Sequence, residues 1–372
     1  MMFSVIKIII YTGILSFVWA CNKIKIPKPQ EEKPGHTCMD APKRFGTTDL
    51  SQVTFNGNSS LDGMVLIPGG GFDMGGDNSQ ADPDEYPKHS VKVSPFYMDA
   101  TEVTNAQFRE FVNATGYITT AERKPDWEEL KKNLPEGVSK PPDSLLVASS
   151  LVFKPSTKPV NLSDFNQWWR WVKGASWKHP QGPASNINGK DSYPVVHISW
   201  DDAQVYCKWS GKRLPTEAEW EFAARGGLKN NIYPWGNQPV NEGKSKTNSW
   251  EGKFPYFNEK KDGYVTLAPV QSFRANGYGL YDMAGNVWEW CSDLYHYDYY
   301  KTMEGKLTVN PKGPNKSYDP QEPYSVKHSL RGGSFLCNDS YCSGYRVARR
   351  MKSSPDTSLE HTGFRCVKDV VQ

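Results

Sequence analysis

Two cysteines five positions apart, Cys337 and Cys342, are the residues of this chain best suited to carry chemistry. They follow Arg331-Gly332-Gly333-Ser334, and between them lie Asn338, Asp339, Ser340 and Tyr341, so a glycine turn leads into a short polar segment. A thiolate pair is a soft donor set and selects soft metals, Cu(I) or Zn above others. The same spacing closes as a short disulfide if the loop brings the two Cα atoms within bonding range. Spacing alone leaves both outcomes open.

A second group of residues offers oxygen. Asn248-Ser249-Trp250, Asp262-Gly263-Tyr264 and Asp282-Met283-Ala284-Gly285-Asn286-Val287-Trp288-Glu289 set carboxylates and amides beside glycines, in loops that expose carbonyls. Calcium needs that combination. Asp and Asn are also ordinary turn formers, which alone would account for them.

The elements that must position these residues are short. The 372 residues include 31 Gly and 27 Pro, which predicts many turns in place of long helices, while 13 Trp, 19 Tyr and 16 Phe predict an aromatic-heavy core. Lys and Arg are scattered among Asp and Glu and the net charge is only +3, so no basic face for nucleic acid is expected. Met64–Met74 reads as two strands joined by a glycine-rich hairpin; no Lys-Ser/Thr follows to make a phosphate cradle. Residues 91–99 read as a further strand. Thr104 with Gln107, and Thr216 with Glu219, are capping boxes that open helices, the second stopped by Gly226-Gly227. Ser199 opens another helix through Trp209, carrying Cys207. Residues 121–160 read as an irregular surface insertion and 195–198 as a strand, with His197 a satisfied core residue. The cluster Trp168, Trp169, Trp171 and Trp177 reads as buried aromatics.

The first twenty residues, one Lys in the n-region and then an apolar run, read as an export signal too short to span a membrane. The run ends Val18-Trp19-Ala20-Cys21, which resembles a lipobox, so Cys21 is the expected lipidation site and the chain a membrane-anchored lipoprotein of the periplasm or cell envelope. Simple cleavage and secretion is the alternative. Residues 21–61 read as a flexible tether and 62–369 as the folded domain. Six further cysteines remain, and in an exported chain they can pair in many ways.

Arg213-Leu214-Pro215-Thr216-Glu217-Ala218-Glu219-Trp220-Glu221, Gly285-Asn286-Val287-Trp288-Glu289-Trp290, Arg331-Gly332-Gly333-Ser334 and Gly363-Phe364-Arg365-Cys366 together resemble the formylglycine-generating-enzyme (sulfatase-modifying factor) domain. Generic relatives share those motifs. The cysteine pair, with Lys173-Gly174-Ala175-Ser176-Trp177-Lys178-His179-Pro180 and Asn310-Pro311-Lys312-Gly313-Pro314, resembles the catalytic members. The resemblance implies a single irregular α+β domain related to C-type lectins, with short helices around small twisted antiparallel sheets. It implies Cys337 and Cys342 as Cu(I) ligands, with Ser334, Trp288 and Tyr341 lining the pocket, and O₂ as co-substrate. The substrate would be a Cys-x-Pro-x-Arg cysteine of an unfolded sulfatase, oxidised through a thioaldehyde to formylglycine by a monomeric enzyme. Two structural calcium sites are implied, one of Asn248, Ser249, Asp262 and Tyr264, the other of Asp282, Gly285, Val287 and Glu289.

Departures from the family pattern are Asn338, where His is common, and Ser343-Gly344, in place of Asn-Arg. Ala224 and Val347 replace one disulfide of animal members, whereas Cys207 and Cys366 match the ends of the other, which the resemblance implies is kept. The competing class is a non-catalytic lipoprotein scaffold of the same fold. An iron oxygenase with a histidine facial site is disfavoured, because the seven His form no His-x-x-x-His-x-Glu motif.

Overall fold

The computed structural model describes residues 44–45, 54–55, 60–76, 78–132 and 137–370. The export signal, Cys21 and Cys38 lie outside these residues. Within the span read as tether, Arg44 and Phe45 are docked: Phe45 is buried, the Arg44 guanidinium lies over Trp171, and it donates to the Asp356 carbonyl.

The first strands do not form the expected hairpin. Strand β1 (Met64–Ile67) and β2 (Gly70–Met74) are followed by β3 (His89–Val93) and β4 (Phe96–Asp99), and β1 pairs antiparallel with β4 while β2 pairs with β3. Two corners, Pro68-Gly69 and Ser94-Pro95, cross there. Gly69 has φ +69°, and a Cβ on it would stand 2.7 Å from Pro95 N. Proline also breaks the run read as one strand over 91–99, since it cannot donate to a ladder.

Helix α1 (Asn105–Thr115) opens on the Thr104/Gln107 capping box and ends at Gly116 in the left-handed region, burying Phe108 and Phe111. The segment expected as an irregular loop holds a short helix, α2 (Trp127–Lys131), and a buried strand, β5 (Ser149–Phe153). β5 pairs with β6 (Trp169–Lys173), setting Phe153 opposite Trp169. Leu-Val-Phe without polar alternation marks a strand buried on both faces. Of the tryptophan cluster, Trp168, Trp169 and Trp177 are buried and Trp171 is exposed.

Residues 195–198 are buried but are not a strand. Val195 N donates to Val103 O, His197 N to Leu359 O, and His197 takes a positive φ that breaks any ladder. His197 is a satisfied core residue, its ring nitrogens on Ser150 Oγ and Pro180 O. Helices α3 (Trp200–Trp209) and α4 (Glu217–Arg225) start on the Ser199 and Thr216 caps as expected.

The remaining strands are β7 (Gly252–Lys253), β8 (Phe257–Asn258), β9 (Trp288–Leu294), β10 (Thr308–Val309), β11 (His328–Arg331), β12 (Met351–Ser353), β13 (Thr362–Gly363) and β14 (Val367–Asp369). The largest sheet runs β12-β11-β9-β13. Pairing is mostly antiparallel as expected, but β13 runs parallel to β9 and β10 parallel to β3. No helix among the described residues is long and apolar enough to cross a membrane.

Candidate active site

One end of the four-stranded sheet gathers the chemistry. Trp288 starts β9, Met351 starts β12, His361 precedes β13, and the 334–342 segment leaves the end of β11. The register that sets Arg331 opposite Glu289 and Thr362 opposite Trp288 brings these ends together, and Trp288 N donates to His361 O at 2.9 Å.

Arg331 anchors the segment from below. Its guanidinium meets Glu217 at 2.9 Å and Glu221 at 2.5 Å on α4, and Arg350 meets Glu217 at 2.7 Å, all fully buried. Burial pushes Glu217 up, but the Arg350 and Arg331 charges outweigh it and hold its carboxyl at about 2. Breaking such a buried pair from one side leaves an unpaired charge, so the anchor is rigid.

Above the anchor the chain folds into two tight turns. Cys337 N donates to Ser334 O, and both Tyr341 N and Cys342 N donate to Asn338 O, each at 2.9 Å. Asn338 is fully spent on this turn: its amide donates to Trp250 O at 2.9 Å and Gly252 O at 3.2 Å, while its oxygen accepts from Ser340 N and Oγ. Gly344 packs onto the site itself, where a Cβ would stand 2.5 Å from Cys337 Sγ and 2.7 Å from the Trp288 ring.

Cys337 and Cys342 are joined as a disulfide, with 5.4 Å between Cα atoms, so the structure holds the second of the two outcomes the spacing allowed. Cys337 is buried and Cys342 half-buried, so Cys342 is the more exposed residue of the pair. Ser334 N donates to Cys337 Sγ at 3.3 Å, and Ser334 Oγ lies 4.0 Å from the same sulfur. An N–H aimed at sulfur favours its anionic form.

Beside the pair is a chamber of about 30 Å³, and all five expected site residues, Cys337, Cys342, Ser334, Trp288 and Tyr341, line it. Tyr341 stacks on Phe254 at 4.6 Å and meets Trp168 edge-on at 5.4 Å. Five further residues complete the wall: Trp168, Trp169, Leu336, Met351 and His361. The two tryptophans were legible only as core. His361 sits two residues before the Gly-Phe-Arg-Cys motif, the one hint the sequence held. Its imidazole packs on Trp169, and burial, with His197 nearby, lowers it to about 3, so it is neutral. Behind Phe153 and Trp250 lies a larger apolar cleft of about 260 Å³ containing Glu360, which burial raises to about 7.

The donor set fits a soft metal only when the disulfide is reduced, for two sulfurs in a chamber with apolar and aromatic walls suit Cu(I). Among the described residues no three His, Cys, Asp or Glu converge on one metal position.

The first oxygen group comes together around Asp262, whose carboxylate accepts from Ser249 N at 3.2 Å and Tyr264 N at 2.9 Å. Burial, with Glu251 close by, raises Asp262 to about 6, the signature of a carboxylate short of a counter-charge. Asn248 turns its amide nitrogen to Thr266 O and Asn286 Oδ1. The second group fits a cation poorly. Glu289 is held bidentately by Arg365 and also accepts from Trp220 Nε1, while Asp282 accepts from Gln271 N and is raised to about 6 by burial.

Cys207 and Cys366 face each other at 3.3 Å between sulfurs, as adjacent buried thiols and not as the expected disulfide. Ala224 and Val347 are both buried in one apolar cluster.

Residues 51–370 match the model of the Sulfatase-modifying factor enzyme 1-like domain. The formylglycine-generating enzyme of Thermomonospora curvata is 45% identical over 314 residues, 82% of this chain and 93% of that one. The inactive C-alpha-formylglycine-generating enzyme 2 of Bos taurus is 39% identical over 315 residues, 83% of this chain and 89% of that one. Among solved structures, PvdO from Pseudomonas aeruginosa is 25% identical with a TM-score of 0.53, covering 82% of this chain and 94% of that one. In this chain an α+β fold carries the cysteine pair at the end of the β9–β11 sheet, and the chain belongs to the sulfatase-modifying factor family.

Proposed function

We propose that this protein converts a cysteine in a Cys-x-Pro-x-Arg segment of unfolded sulfatases to formylglycine, using Cu(I) and O₂. The observation that carries the reading is the chamber, where a reducible cysteine pair meets Ser334, Trp288 and Tyr341. Reduced, Cys337 and Cys342 would hold the metal, and a bound Cu(I) would supply one-electron chemistry toward O₂. Ser334 N–H steadies the Cys337 thiolate, and half-buried Cys342 faces the incoming peptide. Trp168, Trp169, Trp288 and Tyr341 keep bulk water from the reacting sulfur. Asn338 stands where a titrating imidazole is common, and here it serves as a staple.

The same proposal includes a structural Ca²⁺ at the Asp262 group, export, anchoring through a lipid on Cys21 in the periplasm or cell envelope, and action as a monomer. The test is aldehyde formation on a Cys-x-Pro-x-Arg peptide, read by mass spectrometry after trapping. Cys337→Ser and Cys342→Ser are each expected to lose at least about 100-fold in rate while keeping wild-type circular dichroism. Undiminished aldehyde in either variant would remove the cysteines from the mechanism.

A further inference from the structure

Two residues that line the chamber beside the cysteine pair, Trp168 and His361, each carry a buried ring nitrogen with no partner among the described residues. The Trp168 indole Nε1 and the His361 Nδ1 are buried and make no hydrogen bond among the described residues. Both residues line the chamber, whose volume of about 30 Å³ is enough for a water molecule. The contrast with His197 is instructive, because that ring is equally buried yet has both nitrogens engaged. His361 is also held in place without using Nδ1: its ring packs on Trp169 at 4.8 Å and its carbonyl accepts from Trp288 N. Buried, unpartnered polar groups on two residues lining one small cavity are the groups that a bound water satisfies in a native structure.

We propose that the chamber is a water site, in which one water accepts from Trp168 Nε1–H and donates to His361 Nδ1 beside the Cys337–Cys342 pair. His361 is then a positioning residue. The role rests on the proposed function, whose last step consumes one water: the carbon–oxygen bond forms, the carbon–sulfur bond breaks, and H₂S leaves with both water protons. Aromatic walls exclude bulk solvent, so a stored and oriented water supplies that step. Ser334 Oγ, the hydroxyl beside Cys337, already accepts from Leu336 N at 3.3 Å.

The test combines a high-resolution crystal structure of the wild type with kinetics of His361→Leu, His361→Gln and Trp168→Phe. An ordered water touching both nitrogens is expected in the wild type and absent from His361→Leu. That variant is expected to lose about 10- to 100-fold in kcat, with peptide KM changed by less than about twofold. His361→Gln, whose side-chain oxygen can accept from the water, restores the water and most of kcat. Trp168→Phe keeps a ring, loses the donor and gives a smaller loss. A dry chamber in the wild type overturns the proposal, as does a folded His361→Leu with full kcat, or a Gln variant no better than Leu. The water is read without turnover, so a wild type that makes no aldehyde would defeat the proposed function and leave this result to stand or fall separately.

Discussion

At the scale of single residues, the site is a set of close approaches around two sulfurs. Gly344 is the tightest. A side chain there meets Cys337 Sγ and the Trp288 ring, so the Ser343-Gly344 departure from the family pattern is also a packing solution. Gly344→Ala is expected to lower stability by about 1–3 kcal/mol and to push Cys337 outward, checked by denaturant titration and by the rate of thiol labelling after reduction. Cys337 and Cys342 were legible as a Cys-x-x-x-x-Cys segment after Gly-Gly-Ser, whereas Ser334, Trp288 and Tyr341 were expected in the chamber only through the family resemblance. Asn338 was legible as a departure, but its partners Trp250 and Gly252 lie some eighty-six to eighty-eight positions away, beyond any local signal. His361 and Trp168 were not legible as site residues for the same reason: a lone ring in an apolar context reads as core until the fold puts it on a cavity.

At the scale of elements, the anchor beneath the site decides its rigidity. Glu217 is wholly buried between Arg331 and Arg350, and its carboxyl is held at about 2 against an ordinary 4.5. A depressed carboxyl stabilises the fold fully above its unfolded value, and that stability is lost as pH falls from 4.5 towards 2. Glu217→Gln removes the carboxylate paired with buried Arg350 and one of the two carboxylates on Arg331, so a loss of about 3–5 kcal/mol at neutral pH is expected. Its stability should also vary less with pH across that acid window than the wild type's, as thermal melts at the two ends of the window would show. The helices over this anchor were legible from their caps, since Thr216/Glu219, Ser199/Asp202 and Thr104/Gln107 satisfy terminal N–H groups within one turn. Strand pairing was not. β1 and β2 belong to different sheets because Pro68-Gly69 and Ser94-Pro95 cross, and β5 finds its partner beyond a long loop. Pairing partners are set by such tertiary contacts, which periodicity does not record.

At the scale of the whole molecule, long loops are pinned by polar clusters where secondary structure is scarce. Asp262 accepts from Ser249 N and Tyr264 N and donates its own N–H to Glu251, tying two loop segments together where the proposed Ca²⁺ would sit. Millimolar Ca²⁺ is expected to raise the melting temperature, by an amount worth about 2.7 kcal/mol at a hundred times Kd, and Asp262→Asn to abolish that rise. An unchanged melt on adding Ca²⁺ would mean that the cluster is held by its hydrogen bonds alone. Glu289, satisfied by Arg365 and Trp220, predicts no second site of equal strength.

In the function proposed above, Cys337 and Cys342 are a working pair whose disulfide is a resting form. The direct measurement takes the protein with the bond intact and the protein reduced and loaded with Cu(I), and gives each the Cys-x-Pro-x-Arg peptide under air and under argon. Aldehyde from the reduced, copper-loaded protein in air alone is the expected result. No aldehyde in air from a folded protein carrying two free, copper-binding thiols would contradict the claim and leave the pair a structural bridge.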